Sequence, residues 1–367
     1  MQRDDRRGVV RVFPVLDFGG IESRAVIQAM SWLPDQALRF CCFAEAGSAA
    51  VTIRNLGFAV DELGTPPSVR NPRALWRLWR YLRHHRPLVV HAVSGAMTVH
   101  GLLAATLARV PVRIAEEVGI PNRGRVGRIA FPWLYRLATC VIGVSNAVVE
   151  FLVERDGVPR SKVRRVYNAI ELRYFAPISR SSTELFTILA AGRLAPVKGH
   201  ADLLAALAPL LRGEKALLRI AGDGPEQERL VALAAELGVS DTVEFLGFRS
   251  DLPELMRAAD LFVLPSRMEG FGLAVVEAMA AGVPVVATHV GGVPEVVPDW
   301  AVDELVGPGD PAAMRAAIER VLDMSEQQRR DIGMQLRDHA VEHFGPERYV
   351  RQLQELYAEL TAAAGVG

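Results

Sequence analysis

The sequence predicts an α/β chain of two domains, each a parallel sheet wrapped in helices, and three observations carry that prediction. At 367 residues the chain exceeds one ordinary domain and suits two, each able to bury its own core. Short apolar runs alternate with helix-period stretches along most of its length, the βαβ pattern of a parallel sheet. Glycine-bearing turns follow several of those runs, at the carboxyl ends of strands where open α/β sheets hold their ligands.

Composition narrows the classes. Half of the residues are hydrophobic (50%) and 23% are charged, which excludes disorder except at the ends. The three cysteines, with Cys41 and Cys42 adjacent in the strand-like stretch 39–44, read as small buried thiols of a reducing cytoplasm rather than as a disulfide or metal site. Residues 1–7, MQRDDRR, include acids, and Arg11, Pro14 and Asp17 break the apolar run behind them, so no secretory leader is expected. No run reaches the ~18 apolar residues of a membrane span. The formal charge is zero overall, but residues 1–175 carry 25 basic and 14 acidic side chains against 17 and 28 in the remainder. A cationic first half suits an anionic partner.

Taken in order, Val9 to Val15 reads as the first strand, and Asp17 to Glu22, containing Gly19 and Gly20, as the turn into a helix ending near Leu33. Strands follow at 38–44 and 87–93, with a helix at 48–56 between them. His91, near the end of the second of these strands, is a candidate for the acceptor side of a site, with a core histidine as the plainer reading. Residues 71–86, NPRALWRLWRYLRHHR, form a helix with Leu75, Leu78 and Leu82 on one side, a broad face of Arg73, Arg77, Arg80 and Arg83 on the other, and Trp76 and Trp79 at the border. Such a face suits an anionic membrane surface, although an arginine-rich solvent face accounts for it almost as well. A strand at 111–115 ends in Glu116 and Glu117, and a loop with three arginines spans 122–128. Another strand at 140–144 leads through Ser145, a plausible N-cap, into a helix. After a polar linker at 177–184, the strand at 186–191 ends in GRLAPVKG, where Arg193 and Lys198 place a fork and a point charge at a strand-to-helix junction, as a diphosphate requires. Strands at 217–221 and 243–247 come next, then a helical stretch at 312–342 and a last helix at 347–363.

The richest stretch is Phe262 to Val297. An apolar strand stops at Pro265 and Ser266, the turn SRMEGFG follows, and a helix starts near Leu273 and stops at Gly282, a natural C′ residue. The amides of Phe271, Gly272 and Leu273 at that helix N-terminus form a ready anion site, since the first N–H groups of a helix lack intrahelical partners. Glu269 and Glu277 bracket them. A carboxylate only accepts hydrogen bonds, so beside a diphosphate it suits the hydroxyls at either end, a sugar on one side and a ribose on the other.

The block EGFGLAVVEAMAAGVPVVA resembles the E-x7-E element of retaining glycosyltransferase family 4, whose members have the GT-B fold of two Rossmann-like domains facing across a cleft. The resemblance implies an acceptor-side domain at 1–175, a nucleotide-sugar domain at 176–345 and a helix at 346–367 crossing back to the first. It implies that Gly19 and Gly20 match the glycine-rich loop facing the donor, that Arg193 and Lys198 neutralise the leaving diphosphate, and that Phe248 and Arg249 border the base. Glu269 would hold sugar hydroxyls and Glu277 the ribose. Residues 163–171 resemble the segment closing the first domain, with Ala169 and Glu171 in place of the commoner Gly and Asp. Members often carry a histidine after the strand at 111–115; here Glu117 and Val118 stand instead, which makes Glu117 a candidate for the acceptor or a donor hydroxyl.

The expected activity is sugar transfer from a UDP- or GDP-linked donor to a glycan or lipid-linked acceptor, with retention, with Arg193, Lys198 and Glu269 catalytic. No D-x-D triplet occurs, so no metal or other cofactor is expected, and no nucleic-acid partner. The expected location is cytoplasmic, at the inner face of a membrane. A sugar-nucleotide epimerase of GT-B fold, or a noncatalytic nucleotide-sugar-binding homologue, are the alternatives.

Overall fold

The computed structural model describes residues 8–17, 19–32, 37–66, 68–121, 123–177 and 185–366. Most of the linker at 177–184, the amino-terminal residues 1–7, Leu33 and Asn122 lie outside the described residues. Two compact units emerge: Met1–Ala169 with Pro346–Gly367, and Ile170–Gly345. The second begins ahead of residue 176 because the Ile170 N–H already donates to Phe344 O at 3.1 Å and Arg337 donates to Phe175 O at 3.3 Å.

In the first unit the elements run β1 (Val9–Phe13), α1 (Gly20–Ser31), β2 (Leu38–Cys42), α2 (Ser48–Asn55), β3 (Ala59–Glu62), α3 (Pro72–His85), β4 (Val89–Val93), α4 (Gly95–Leu107), β5 (Val112–Glu117), α5 (Arg125–Tyr135), β6 (Cys140–Gly143), α6 (Asn146–Glu150) and β7 (Val163–Arg165). The strands form one seven-stranded sheet in the order β3-β2-β1-β4-β5-β6-β7, every pair parallel. The order reverses between β1 and β4, a topological switch point. β1 stops before Pro14, which cannot supply a ladder N–H. Local chemistry sets the helix starts: Asn71 Oδ1 accepts from the Arg73 amide at 3.1 Å, and Ser145 Oγ from Val148 at 3.1 Å. β3, a four-residue edge strand, escapes the sequence reading because only Val60 in it is fully apolar and buried.

The second unit runs β8 (Phe186–Ala191), α7 (His200–Arg212), β9 (Ala216–Ala221), α8 (Gln227–Glu236), β10 (Val243–Gly247), α9 (Leu252–Ala258), β11 (Leu261–Leu264), α10 (Leu273–Ala280), β12 (Val285–Ala287), α11 (Val293–Val296), α12 (Asp299–Val302), α13 (Pro311–Asp323) and α14 (Glu326–Phe344). Its five parallel strands lie in the order β10-β9-β8-β11-β12. Here the switch point falls between β8 and β11, which pair only through Ile188–Leu189 and Leu261–Phe262. Their carboxyl ends therefore part, and the loops that follow border the crevice. The helical stretch expected at 312–342 is two helices, because Ser325 and Gln328 form a capping box that restarts the backbone at α14.

α15 (Pro346–Ala363) returns to the first unit. Its Tyr349, Val350, Leu353, Leu356 and Tyr357 join the cluster that includes Phe13, Phe40 and Trp32. Cys41, Cys42 and Cys140 are buried free thiols.

Candidate functional site

The loops after β8 and β11 are stitched together by polar contacts. The Arg267 amide donates to Val197 O at 2.8 Å, and its guanidinium grips both oxygens of Asp202 at 2.8 Å, a bidentate fork. Gly199 adopts φ 69°, and a Cβ there would stand 2.0 Å from Pro265 O, so only glycine lets the two backbones meet so closely. Thr288 Oγ1 donates to Ser266 O at 2.5 Å, fixing the turn from below. On this frame Lys198 Nζ donates to Glu269 Oε1 at 2.5 Å, and Ser266 Oγ to the same oxygen at 2.8 Å. Glu269 Oε2 has no partner among the described residues, so it remains an acceptor for a ligand hydroxyl.

Gly272 takes φ 94° and leads α10 at Leu273; Gly282 follows it with φ 73°. Phe271 is buried against Phe344, ring centroids 5.7 Å apart, which fixes the turn whose amides open α10. Glu277 is half-buried on that helix, and burial pushes its carboxyl up to about 8. Arg193 is exposed with no partner among the described residues. Lys198, Glu269 and the start of α10 thus gather at the switch point, with Arg193 in the same β8–α7 loop as Lys198. Phe248 and Arg249 follow the edge strand β10; Phe248 is 60% exposed, and Arg249 is held by both oxygens of Asp251.

The first unit holds the remaining expected residues. Gly19 precedes α1 with φ 148° and Gly20 opens it. The strand expected at 111–115 extends to Glu117, so Glu116 and Glu117 point to opposite faces of β5 rather than into a loop. His91 is wholly buried: Nδ1 lies 2.7 Å from Tyr357 Oη and Nε2 3.0 Å from Glu116 Oε2. Both ring nitrogens face protein groups, which corrects its reading as an acceptor-side residue. Burial and the neighbouring Arg11 hold it neutral, down to about 4. Glu117 is 5% exposed, takes a 2.6 Å bond from Tyr135 Oη and sits 3.3 Å from Arg123. Burial raises its carboxyl against those two partners. It anchors a loop rather than standing open to a ligand.

Two family models match end to end: Glycosyltransferase Family 4 over residues 32–174 and Glycosyl transferases group 1 over residues 175–338. The chain belongs to glycosyltransferase family 4. Among curated family members, N-acetyl-alpha-D-glucosaminyl L-malate synthase of Bacillus anthracis is 32% identical over 213 residues, 55% of each chain. D-inositol 3-phosphate glycosyltransferase of Saccharomonospora viridis is 34% identical over 258 residues, 61% of this chain and 59% of that one. The chain thus spans little more than half the length of these relatives. HepE of Anabaena, solved in complex with UDP and glucose, superposes with TM-score 0.82 at 22% identity, covering 96% of this chain and 99% of that one. Sucrose-phosphate synthase of Thermosynechococcus elongatus gives 0.79 at 22%, covering 98% and 100%. The fold is GT-B, with two parallel-sheet α/β domains.

Sequence reasoning missed the staples that join the β8 and β11 loops. Ser266, Asp202, Arg267 and Thr288 lie far apart in the chain or look like ordinary turn residues; the only local sign is Asp202 in the first turn of α7. It also missed His200, buried at 3% exposure with neither ring nitrogen hydrogen-bonded and held neutral by burial and Lys198, down to about 4.

Proposed function

We propose that this chain moves a sugar from a nucleoside-diphosphate donor to a glycan or lipid-linked acceptor, retaining the anomeric configuration and using no metal ion. The observation that carries the reading is the convergence of Lys198, Glu269 and the α10 N-terminus at the β8/β11 switch point, with Arg193 in the adjoining loop. The UDP bound to HepE supports a nucleotide donor of this class. As the glycosidic bond breaks, negative charge gathers on the departing diphosphate, and preorganised cations and amides stabilise it more than the ground state. The departing phosphate oxygen takes the acceptor's proton on the same face, so no carboxylate base is needed. Glu269 Oε2 accepts from a sugar hydroxyl and Glu277 from the ribose. Among the described residues no helix is long and apolar enough to cross a membrane; we place the chain in the cytoplasm, peripheral to the inner membrane face.

The test is nucleoside-diphosphate release from UDP-, GDP- and ADP-sugars in EDTA, with proton NMR of the transferred sugar. Turnover persists in EDTA and the product anomer matches the donor; a strict need for Mg²⁺ or Mn²⁺, or an inverted product, contradicts the reading.

Glu277 supplies a proton signature. Burial pushes its carboxyl up to about 8, so that it is mostly protonated at pH 7, while the ribose hydroxyls call for the ionised form. Donor binding at pH 7 therefore releases up to about nine-tenths of a proton, and the release fades as pH rises past 8. Calorimetry in buffers of different ionisation enthalpy reads it directly. A buffer-independent enthalpy in the wild type, or an unchanged release in Glu277→Gln, removes Glu277 from the ribose.

A further inference from the structure

α5 is folded with its apolar face outward. The helix has eleven residues and buries only Tyr135, while Val126, Ile129 and Trp133, at i, i+3 and i+7 on one face, are 80%, 70% and 62% exposed. Arginines 125, 128 and 136 flank that stripe and are exposed, and the Arg136 guanidinium stacks on Trp133, 3.8 Å from the ring centroid. No acidic residue occurs between Glu117 and Glu150. We propose that α5 is a membrane-docking helix that lies in the interface of an anionic bilayer, its Val126–Ile129–Trp133 stripe among the acyl chains and its arginines at the headgroups.

Charge selects the occupant. A second copy of the chain would bring the same arginines against each other, whereas an anionic lipid surface answers them with opposite charge. Tryptophan at the edge of the stripe and arginines able to extend their stems along it match a membrane interface. This inference deepens the membrane placement proposed above and rests on it, but moves the contact away from the arginine helix on which the sequence places it. α3 exposes one large apolar residue, Trp76 at 51%, and its Arg77 is spent on Leu63 O and Gly64 O, both at 2.6 Å. α3 and α5 both pack against α4, so α3 can add cations beside a surface in which α5 is the embedded element. Arg123 links α5 to the end of β5: it stacks 3.9 Å from the Phe131 centroid, bonds Tyr135 Oη at 2.5 Å and pairs with Glu117 at 3.3 Å. A bilayer holding α5 therefore sits beside the carboxyl end of β5, where a lipid-linked acceptor would arrive.

The test is flotation of the full chain with phosphatidylcholine vesicles with and without phosphatidylglycerol, comparing wild type, Val126→Ser/Ile129→Ser/Trp133→Ser and Arg73→Gln/Arg80→Gln. Circular dichroism melts show that each variant folds, and brominated lipids report tryptophan depth in wild type and Trp133→Phe. Wild type floats with the anionic vesicles, and its binding weakens as salt shortens the Debye length from ~10 Å at 0.1 M. The α5 triple variant, still folded, loses about a hundredfold in partitioning, the α3 variant far less, and bromine quenching disappears in Trp133→Phe. If wild type floats but the α5 variant floats equally and quenching survives Trp133→Phe, α5 is not the docking element although the membrane placement stands. If wild type stays unbound at low salt, both fall. If ultracentrifugation shows a dimer that the α5 variant loses, the stripe serves a second copy and the lipid proposal is overturned.

Discussion

Lys198→Ala and Arg193→Ala each lower turnover by about 10²–10³-fold, whereas Glu277→Gln chiefly raises the donor KM. The difference follows from where charge develops. The two cations answer charge that grows on the departing diphosphate, while Glu277 holds hydroxyls that do not react. Lys198→Ala also costs some stability, because the Lys198 side chain is 27% exposed but its partner Glu269 only 11%, so the carboxylate loses a cation in a partly buried place and keeps Ser266 Oγ as a donor. Steady-state kinetics beside a thermal melt separate the two effects. Equal and small losses for all three variants would remove the cations from the reaction.

Glu116→Ala destabilises the first unit by about 3–5 kcal/mol. Its carboxylate is 2% exposed and is the shared partner of two buried guanidiniums, Arg11 at 3.0 Å and Arg24, which also reaches Asn168 Oδ1 at 2.7 Å. Arg11 completes its contacts with Gln28 at 2.8 Å. Removing the carboxylate takes from two buried guanidiniums the counter-ion they share, and the melting temperature falls by about 10 °C. The same cluster makes the fold acid-sensitive. Burial pushes the Glu116 carboxyl up, but Arg24, His91 and Arg11 outweigh it and hold it well below the usual range, so its stabilisation is present above the unfolded value of 4.5 and is lost as pH falls. His91, depressed from 6.5 to about 4, acts with the same sign, since the unfolded chain takes up its proton first. From pH 6.5 to 5 the His91 share of the loss is about 2 kcal/mol. Urea midpoints of wild type and His91→Phe at pH 7 and pH 5 measure it; parallel losses in both would exclude His91 as the source.

Apart from the short edge strands β3 and β7, the strands of both sheets were legible because buried parallel strands are continuous apolar runs, and α10 because glycine and an apolar run mark its two ends. Arg193 and Lys198 stood out as cations in the turn that follows an apolar strand, and Glu269 and Glu277 as carboxylates bracketing a glycine-led helix start, because those positions are local features of the sequence. Glu116 and Glu117 were read as the close of a strand, since a carboxylate inside a sheet is costly unless paired, and the partners of Glu116 come from residues 11 and 24, about a hundred positions earlier. His91 was ambiguous for the same reason: its neighbour Tyr357 stands 266 residues away. The staples Asp202–Arg267 and Thr288–Ser266 carry no local signature, because each joins two elements that only the sheet order brings together.

Calorimetric titration with UDP, GDP and ADP, on wild type and on the double variant Arg193→Ala/Lys198→Ala, tests the diphosphate site most directly. The nucleoside diphosphate that wild type binds most tightly binds the folded double variant about a hundredfold more weakly, or about 2.7 kcal/mol, while the parent nucleoside binds both alike. Equal affinity of the diphosphate for wild type and double variant would contradict the assignment and place the phosphates elsewhere.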